Sequence, residues 1–398
     1  MVNRRVLHVF FSCMVLFLLL SCQLFSPLAV STPMPEVATL PSPLDDPNIE
    51  DIANTEEALL PQIVPTRTAI SEEVGEIQVD YVYTDGLVTS LYHLYGSYLD
   101  HFVDISLTNH SPDPATIIIE TYIEGYSTKS TDTVDVGAGE QVEVHQDPRL
   151  TPDAVDQLNS EQPGNFRIRV VQIVDGEEKV LVDESQQILM YSRRDFVWID
   201  GFETNEEYEL WAAWVTPTDP GVEALIRAAA DYMDSGIMTS GYGGIENDDD
   251  GKVWKRLEAI WKAEKENYHL TYISTMVAFG PNTVQRMRLP AEVLDQSSGN
   301  CVELAALYAS AAEALGLETA IIRIPGHAYT AVRMDEVNAN YYFIETTMIG
   351  QSDFTDAVNV GKEEWNDAIP HFDANEEGYA WVTIQDAREK GILPIPWK

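Results

Sequence analysis

The sequence predicts an α+β protein in which two folded segments follow one another along the chain. Three observations predict it. β-rich runs punctuated by turn residues fill positions 77–202, helix-period apolar patterns open 203–398, and strands return only after those helices. Charge is strongly one-sided, with 24 Lys plus Arg against 65 Asp plus Glu, so nucleic acid is excluded as a natural partner. The same excess of acid steers cationic peptides or lysine-bearing proteins towards the surface.

Positions 1–21 carry Arg4 and Arg5, a short apolar core and the ending Leu19-Leu20-Ser21, directly before Cys22. Arginines ahead of an apolar core and a small residue before the cut are the export pattern, and a cysteine at the cut can receive lipid. The segment resembles a bacterial lipoprotein signal peptide. That resemblance implies lipidation at Cys22 and a chain anchored to a membrane on its extracytoplasmic face. An uncleaved membrane helix is the alternative, and it leaves the chain on the same side. Residues 22–76 are rich in Pro, Ser, Thr and acids without a sustained apolar period, and read as a flexible tether.

From 77 to 202 the runs QVDYVYT, FVDISLTN, ATIIIETYIEGY, EQVEVH, FRIRVVQIV and EKVLVDESQQILMY alternate apolar and polar residues, with Gly, Pro and Asx between them. This is the spacing of an all-β sandwich of immunoglobulin-like type. No set of reactive side chains clusters there, which leaves it a structural or adhesive role. Asn109-His110-Ser111 matches a glycosylation sequon and reads as incidental.

The segment 203–398 opens with Trp211 to Val215 and a Pro217-Thr218-Asp219-Pro220 start signal. The helix after it places Val222, Leu225, Ile226, Ala229 and Met233 on one face. A second helix is expected from about Lys252 to Lys265, then a strand from Leu270 to Val277. The acid run Glu246-Asn247-Asp248-Asp249-Asp250-Gly251 begins like a calcium loop. With Gly251 as sixth residue, however, the twelfth is Leu257, and Glu258 misses by one. The run reads as a solvated turn, and no metal or cofactor is expected.

Chemistry concentrates between Ser297 and Thr347. Cys301 follows a Gly299-Asn300 turn and opens a helix whose apolar positions Leu304, Leu307, Tyr308, Ala311 and Leu315 recur three and four apart, ending at Gly316. Unpaired N–H groups and the positive end of the helix dipole favour a thiolate at such a position. Many alanines let the helix lie close against a sheet, so it reads as central and buried. Thr319 to Ile324 forms a strand, Pro325-Gly326 breaks it, and His327 opens a second strand through Met334. Folding back around the polar turn 335–340, the strand Tyr341 to Thr347 carries Glu345 to within a few residues of the position opposite His327. A thiol, an imidazole that takes its proton and a carboxylate that orients the imidazole form a nucleophilic set. Cys13 leaves with the signal segment and Cys22 takes lipid, so Cys301 is the one free thiol and no internal disulfide is expected. One oxyanion donor is the Cys301 N–H; the side chain of Gln285 or Gln296, both upstream, is a candidate for the second.

Gly-x-Cys at a helix start, a Gly-His strand and then an acidic-Thr strand, in this order and spacing, resemble the transglutaminase-like superfamily over roughly Trp211 to the C-terminus. The resemblance implies a papain-like fold with a Cys-His-Asp triad. It also implies action on amide bonds of peptides or proteins through a Cys301 thioester, ending in hydrolysis or in transfer to an amine. Glu345 stands where the family has Asp, and Tyr329 where it has Trp. A longer carboxylate arm can do the same orienting task. A binding module that kept this fold without activity, and a tethered adhesin built on the sandwich, are the alternatives.

Overall fold

The computed structural model describes residues 66–396 apart from 75, 198–207, 246–247 and 275–283. The expected signal segment, Cys22, most of the tether, the boundary between 202 and 203 and the first two residues of the acid run lie outside the described residues. The chain is α+β. No helix among the described residues is long and apolar enough to cross a membrane.

The first part comprises β1 (Arg67–Val74), β2 (Ile77–Thr84), β3 (Gly86–Leu87), β4 (Val103–Asn109), β5 (Ala115–Ile123), β6 (Ser130–Val136), β7 (Gln141–Gln146), a short helix α1 (Pro152–Gln157), β8 (Gln162–Val174) and β9 (Glu177–Met190). These strands form two sheets, ordered β1-β2-β4-β7 and β3-β9-β8-β5-β6. Alternation in the sequence sorts their side chains. Val79 and Tyr81 of β2, Ile105 of β4, Ile117 of β5 and Ile168 of β8 are buried in one core that draws on both sheets.

Residues 67–74 belong to the tether on the sequence reading; in the structure they form β1, paired with β2 from Arg67↔Thr84 to Val74↔Ile77. Ile70 packs against the core. An edge strand is held largely by its ladder hydrogen bonds, which a Thr- and Glu-rich composition does not reveal. Asn109 is fully buried, and its amide donates to the carbonyls of Asp113, Val136 and Gly137. The sequon is therefore part of the fold and not open to a sugar.

The second part runs β10 (Asp195–Val197), a 3-10 segment Tyr208–Trp214, α2 (Pro220–Ala229), α3 (Lys252–Glu266), β11 (Thr271–Tyr272), β12 (Val284–Arg286), α4 (Pro290–Asp295), β13 (Ser298–Gly299), α5 (Cys301–Ala314), β14 (Thr319–Ile324), β15 (His327–Arg333), β16 (Tyr341–Ile344), α6 (Phe354–Asp373), β17 (Ala380–Thr383) and α7 (Ile384–Glu389). Asp219 caps α2 by accepting from the Gly221 N–H at 2.7 Å, with Pro220 in the first turn.

An antiparallel sheet ordered β16-β15-β14-β17 sits between α5 and α6. Ile321, Ala328 and Val332 face the helix α5, while Ile322, Tyr329, Ala331 and Phe343 pack with Trp365 and Ala368 of α6. The two parts of the chain share a core. Val88, Leu91, Leu94 and Tyr191 from the first join Trp211, Trp214, Cys301 and Ala305 from the second. Phe196 in β10 pairs with Gln285 in β12, and Arg193 and Arg194 both bond Glu292 of α4.

Candidate active site

Cys301 is the first residue of α5, and a capping box sets the turn before it. The Asn300 side chain accepts from the Glu303 N–H at 3.0 Å, while Glu303 Oε2 accepts from the Asn300 N–H at 3.0 Å. Glu303 is almost wholly buried and also pairs with Arg288, whose guanidinium reaches Glu303 Oε2 at 2.6 Å, the Ser298 carbonyl and the Gln296 side chain. One arginine thus ties together the loop that presents the cysteine. No acceptor among the described residues takes the Cys301 N–H. Cys301 itself is 1% exposed.

His327 begins β15, immediately after the Pro325-Gly326 turn, where Gly326 takes a positive φ of 73°. At the start of the strand its ring lies beside Cys301, while Nε2 meets Glu345 Oε2 at 2.6 Å. Nδ1 is thereby left for the thiol. Burial pushes the His327 imidazole down, but the charge of Glu345, the neighbouring Cys301 and the hydrogen bond to Glu345 outweigh it and hold the ring well above its ordinary value.

Glu345 does not sit in a strand. β16 ends at Ile344, and Glu345 caps a 3-10 turn over Thr346–Met348. The β15–β16 register pairs Thr330 with Ile344, so Glu345 leaves the ladder near Tyr329 and on the same side as His327. Its Oε1 accepts from the N–H of Thr347 at 2.8 Å and from the Thr347 hydroxyl. Burial raises this carboxyl, but the His327 charge and the hydrogen bonds from His327 and Thr347 prevail and hold it below the usual carboxylate range.

Cys301, His327 and Glu345 are thus brought close together, with His327 between the other two. Gln285 and Gln296 are not drawn into that set. Gln285 is buried in β12 and donates to the Arg286 carbonyl; Gln296 is exposed, its oxygen held by Arg288 at 2.6 Å. Asp248, in the acid run, accepts from the Val253 and Trp254 N–H groups and from the Tyr342 hydroxyl, so it caps α3.

Two residues escaped sequence reasoning. Tyr272 in β11 runs parallel beside β13, opposite Gly299. Its phenol is raised by burial and then by the nearby charge of Cys301. Glu364 of α6 places Oε2 3.9 Å from His327 Nε2, beside Glu345; burial and then the Glu345 charge push its carboxyl far up. The Thr after Glu345 was a usable signal, but nothing marks Glu364 among the many acids of α6. His327, Glu345 and Glu364 offer one ligand atom each within 4.8 Å of one another, the grouping that could hold a cation on distance alone. Nε2 and Glu345 already hydrogen-bond each other at 2.6 Å.

No family model matches the chain, and no curated protein matches it. Among solved structures, the chain is similar to a protein from Archaeoglobus fulgidus at 8% identity and TM-score 0.19, over 32% of this chain and 95% of that one. A provisional beta-galactosidase from Bacteroides fragilis aligns at 11% identity and TM-score 0.15, over 30% of this chain and 15% of that one. A provisional late embryogenesis abundant protein aligns at 8% identity and TM-score 0.18, over 36% and 80%. Likenesses at these TM-scores carry no argument about fold or function.

Proposed function

We propose that the chain is a thiol enzyme of transglutaminase-like type that acts on amide bonds of peptides or proteins through a Cys301 thioester. One observation carries this reading: the buried His327 ring lies beside Cys301 and meets Glu345 Oε2 at 2.6 Å, and Thr347 holds that carboxylate in turn. Buried polar groups are costly unless satisfied, and here His327 and Glu345 satisfy each other while Thr347 takes the second carboxylate oxygen.

His327 takes the thiol proton on Nδ1, and the sulfur attacks the amide carbonyl carbon. The carbonyl oxygen gathers the charge within reach of the Cys301 N–H at the start of α5. Collapse breaks the C–N bond, the leaving nitrogen takes the proton back from His327, and the acyl group stays on sulfur. Water or an amine then releases it, again with His327 accepting the incoming proton. Glu345 holds the imidazole by Nε2 throughout and stabilises its cation, as the third member of a triad does.

The acid-rich surface, with a formal net charge of −41, favours cationic peptides or lysine-bearing proteins as substrates. Leu19 to Cys22 supports a lipid-anchored, extracytoplasmic placement. The deciding experiment is the rate of iodoacetamide alkylation of Cys301 against pH, with the adduct located by mass spectrometry. Wild type is expected to react well below the ordinary thiol pKa of about 8.5, and His327→Ala to return the reaction to the alkaline range. If the wild-type thiol titrates like a free cysteine, or never reacts, the enzyme reading falls.

A further inference from the structure

Two carboxyl groups meet at the far nitrogen of His327. Glu345 spends Oε2 on His327 Nε2 and Oε1 on Thr347. Glu364, midway along α6, turns Oε2 towards the same place, 3.9 Å from Nε2. That oxygen is buried and has no donor among the described residues. A carboxylate there is an acceptor facing an acceptor, and an unmet buried group costs roughly 1–3 kcal/mol, more when charged. A carboxylic acid resolves the conflict, because its O–H is a donor.

We propose that Glu364 is a positioning residue that stands protonated and donates its O–H to Glu345, an inference that rests on the triad reading above. Glu345 then receives hydrogen bonds from His327, from the Thr347 N–H and hydroxyl, and from Glu364. A fully enclosed anion stays ionised only while such donors surround it. An ionised Glu345 sustains the imidazolium, and the imidazolium sustains the thiolate. Without the fourth donor, Glu345 takes up a proton more readily and the thiolate–imidazolium pair weakens. The titratable groups facing Glu364 are His327 and Tyr329 from β15, Glu345 after β16 and Asp367 from its own helix, with Cys301 beyond the imidazole. His327 is the one cation of that set, and Glu345 already holds it.

Glu364→Gln keeps a donor without the acid, and Glu364→Met keeps the length without the donor. The alkylation rate of Cys301 by iodoacetamide is measured against pH in wild type and in both variants. The acid limb of Glu364→Met is expected to move up by about one pH unit, a tenfold slower reaction on that limb, while Glu364→Gln stays within a few tenths of a unit of wild type. A Met variant that matches wild type, or a Gln variant that moves as far as Met, overturns the proposal. Should the Met variant not fold, difference infrared spectroscopy of wild type against Glu364→Gln decides. The carbonyl band of a protonated carboxyl is expected in wild type and lost in the variant; its absence from wild type overturns the proposal. A wild-type thiol inert below the ordinary thiol range defeats the triad reading instead, and the infrared band still decides the protonation of Glu364.

Discussion

Glu264, on α3, shows what burial does to a carboxyl that finds no partner. It is 3% exposed, its Oε1 has no donor among the described residues, and burial raises it well above the ordinary carboxyl value. An unfolded glutamate titrates near 4.3. The folded state therefore keeps a proton that the unfolded state releases, and stability falls as pH rises from about 4.3 towards the folded value. Glu264→Gln removes that loss. Its urea stability relative to wild type is expected to improve progressively as pH rises from 4 to 7. A difference that does not change with pH would show Glu264 ionised in the folded protein. At this scale the neighbourhood of Cys301, His327 and Glu345 was legible because these residues have distinct chemistry and lie at element ends, beside Gly299-Asn300, Pro325-Gly326 and Thr346-Thr347. Glu364 was not, because Glu363 and Asp367 around it are equally acidic and only packing tells them apart.

Among the elements, α6 owes its position to one missing side chain. A Cβ on Gly361 would lie 2.8 Å from the carbonyl carbon and oxygen of Phe343 and 2.9 Å from the Ile344 nitrogen, so the helix touches β16 backbone to backbone. Glycine inside a helix costs about 1 kcal/mol relative to alanine. Here it sets the approach that, one turn later, delivers Glu364 to Glu345. Gly361→Ala is expected to lower stability by roughly 1–3 kcal/mol through overpacking, and to move the acid limb of Cys301 alkylation in the same direction as Glu364→Met although no polar atom has changed. Stability lost with the limb unmoved would separate the helix from the triad. α5, β14 and β15 were readable to within a residue or two because a three-four apolar period and unbroken β-branched runs mark them. α6 was not read, since its buried face of Phe354, Ala357, Val358, Gly361 and Ala368 is mostly small and Pro370 interrupts its last turn.

For the molecule as a whole, the order of a strand-rich part before a helix-first part was legible from composition alone. Their joint core was not. Hydrophobic pattern states which side chains leave water but not which distant ones they meet, and Leu91 and Leu94 meet the layer of Trp211, Trp214 and Ala305 around the cysteine helix. Tyr191 and Phe196, on the approach to the expected boundary, are buried in that same layer.

The enclosure of Cys301 in this layer has a kinetic consequence. A cysteine that is 1% exposed is shielded in the resting conformation, so a reagent waits for the protein to open. Alkylation is therefore expected to rise with iodoacetamide concentration and then level off at the opening rate, and a rise that stays linear would mean the sulfur is already accessible. The same door governs oxidants. Conversion of a thiol to sulfenic acid follows exposure as well as ionisation, so the burial of Cys301 is expected to slow its oxidation too.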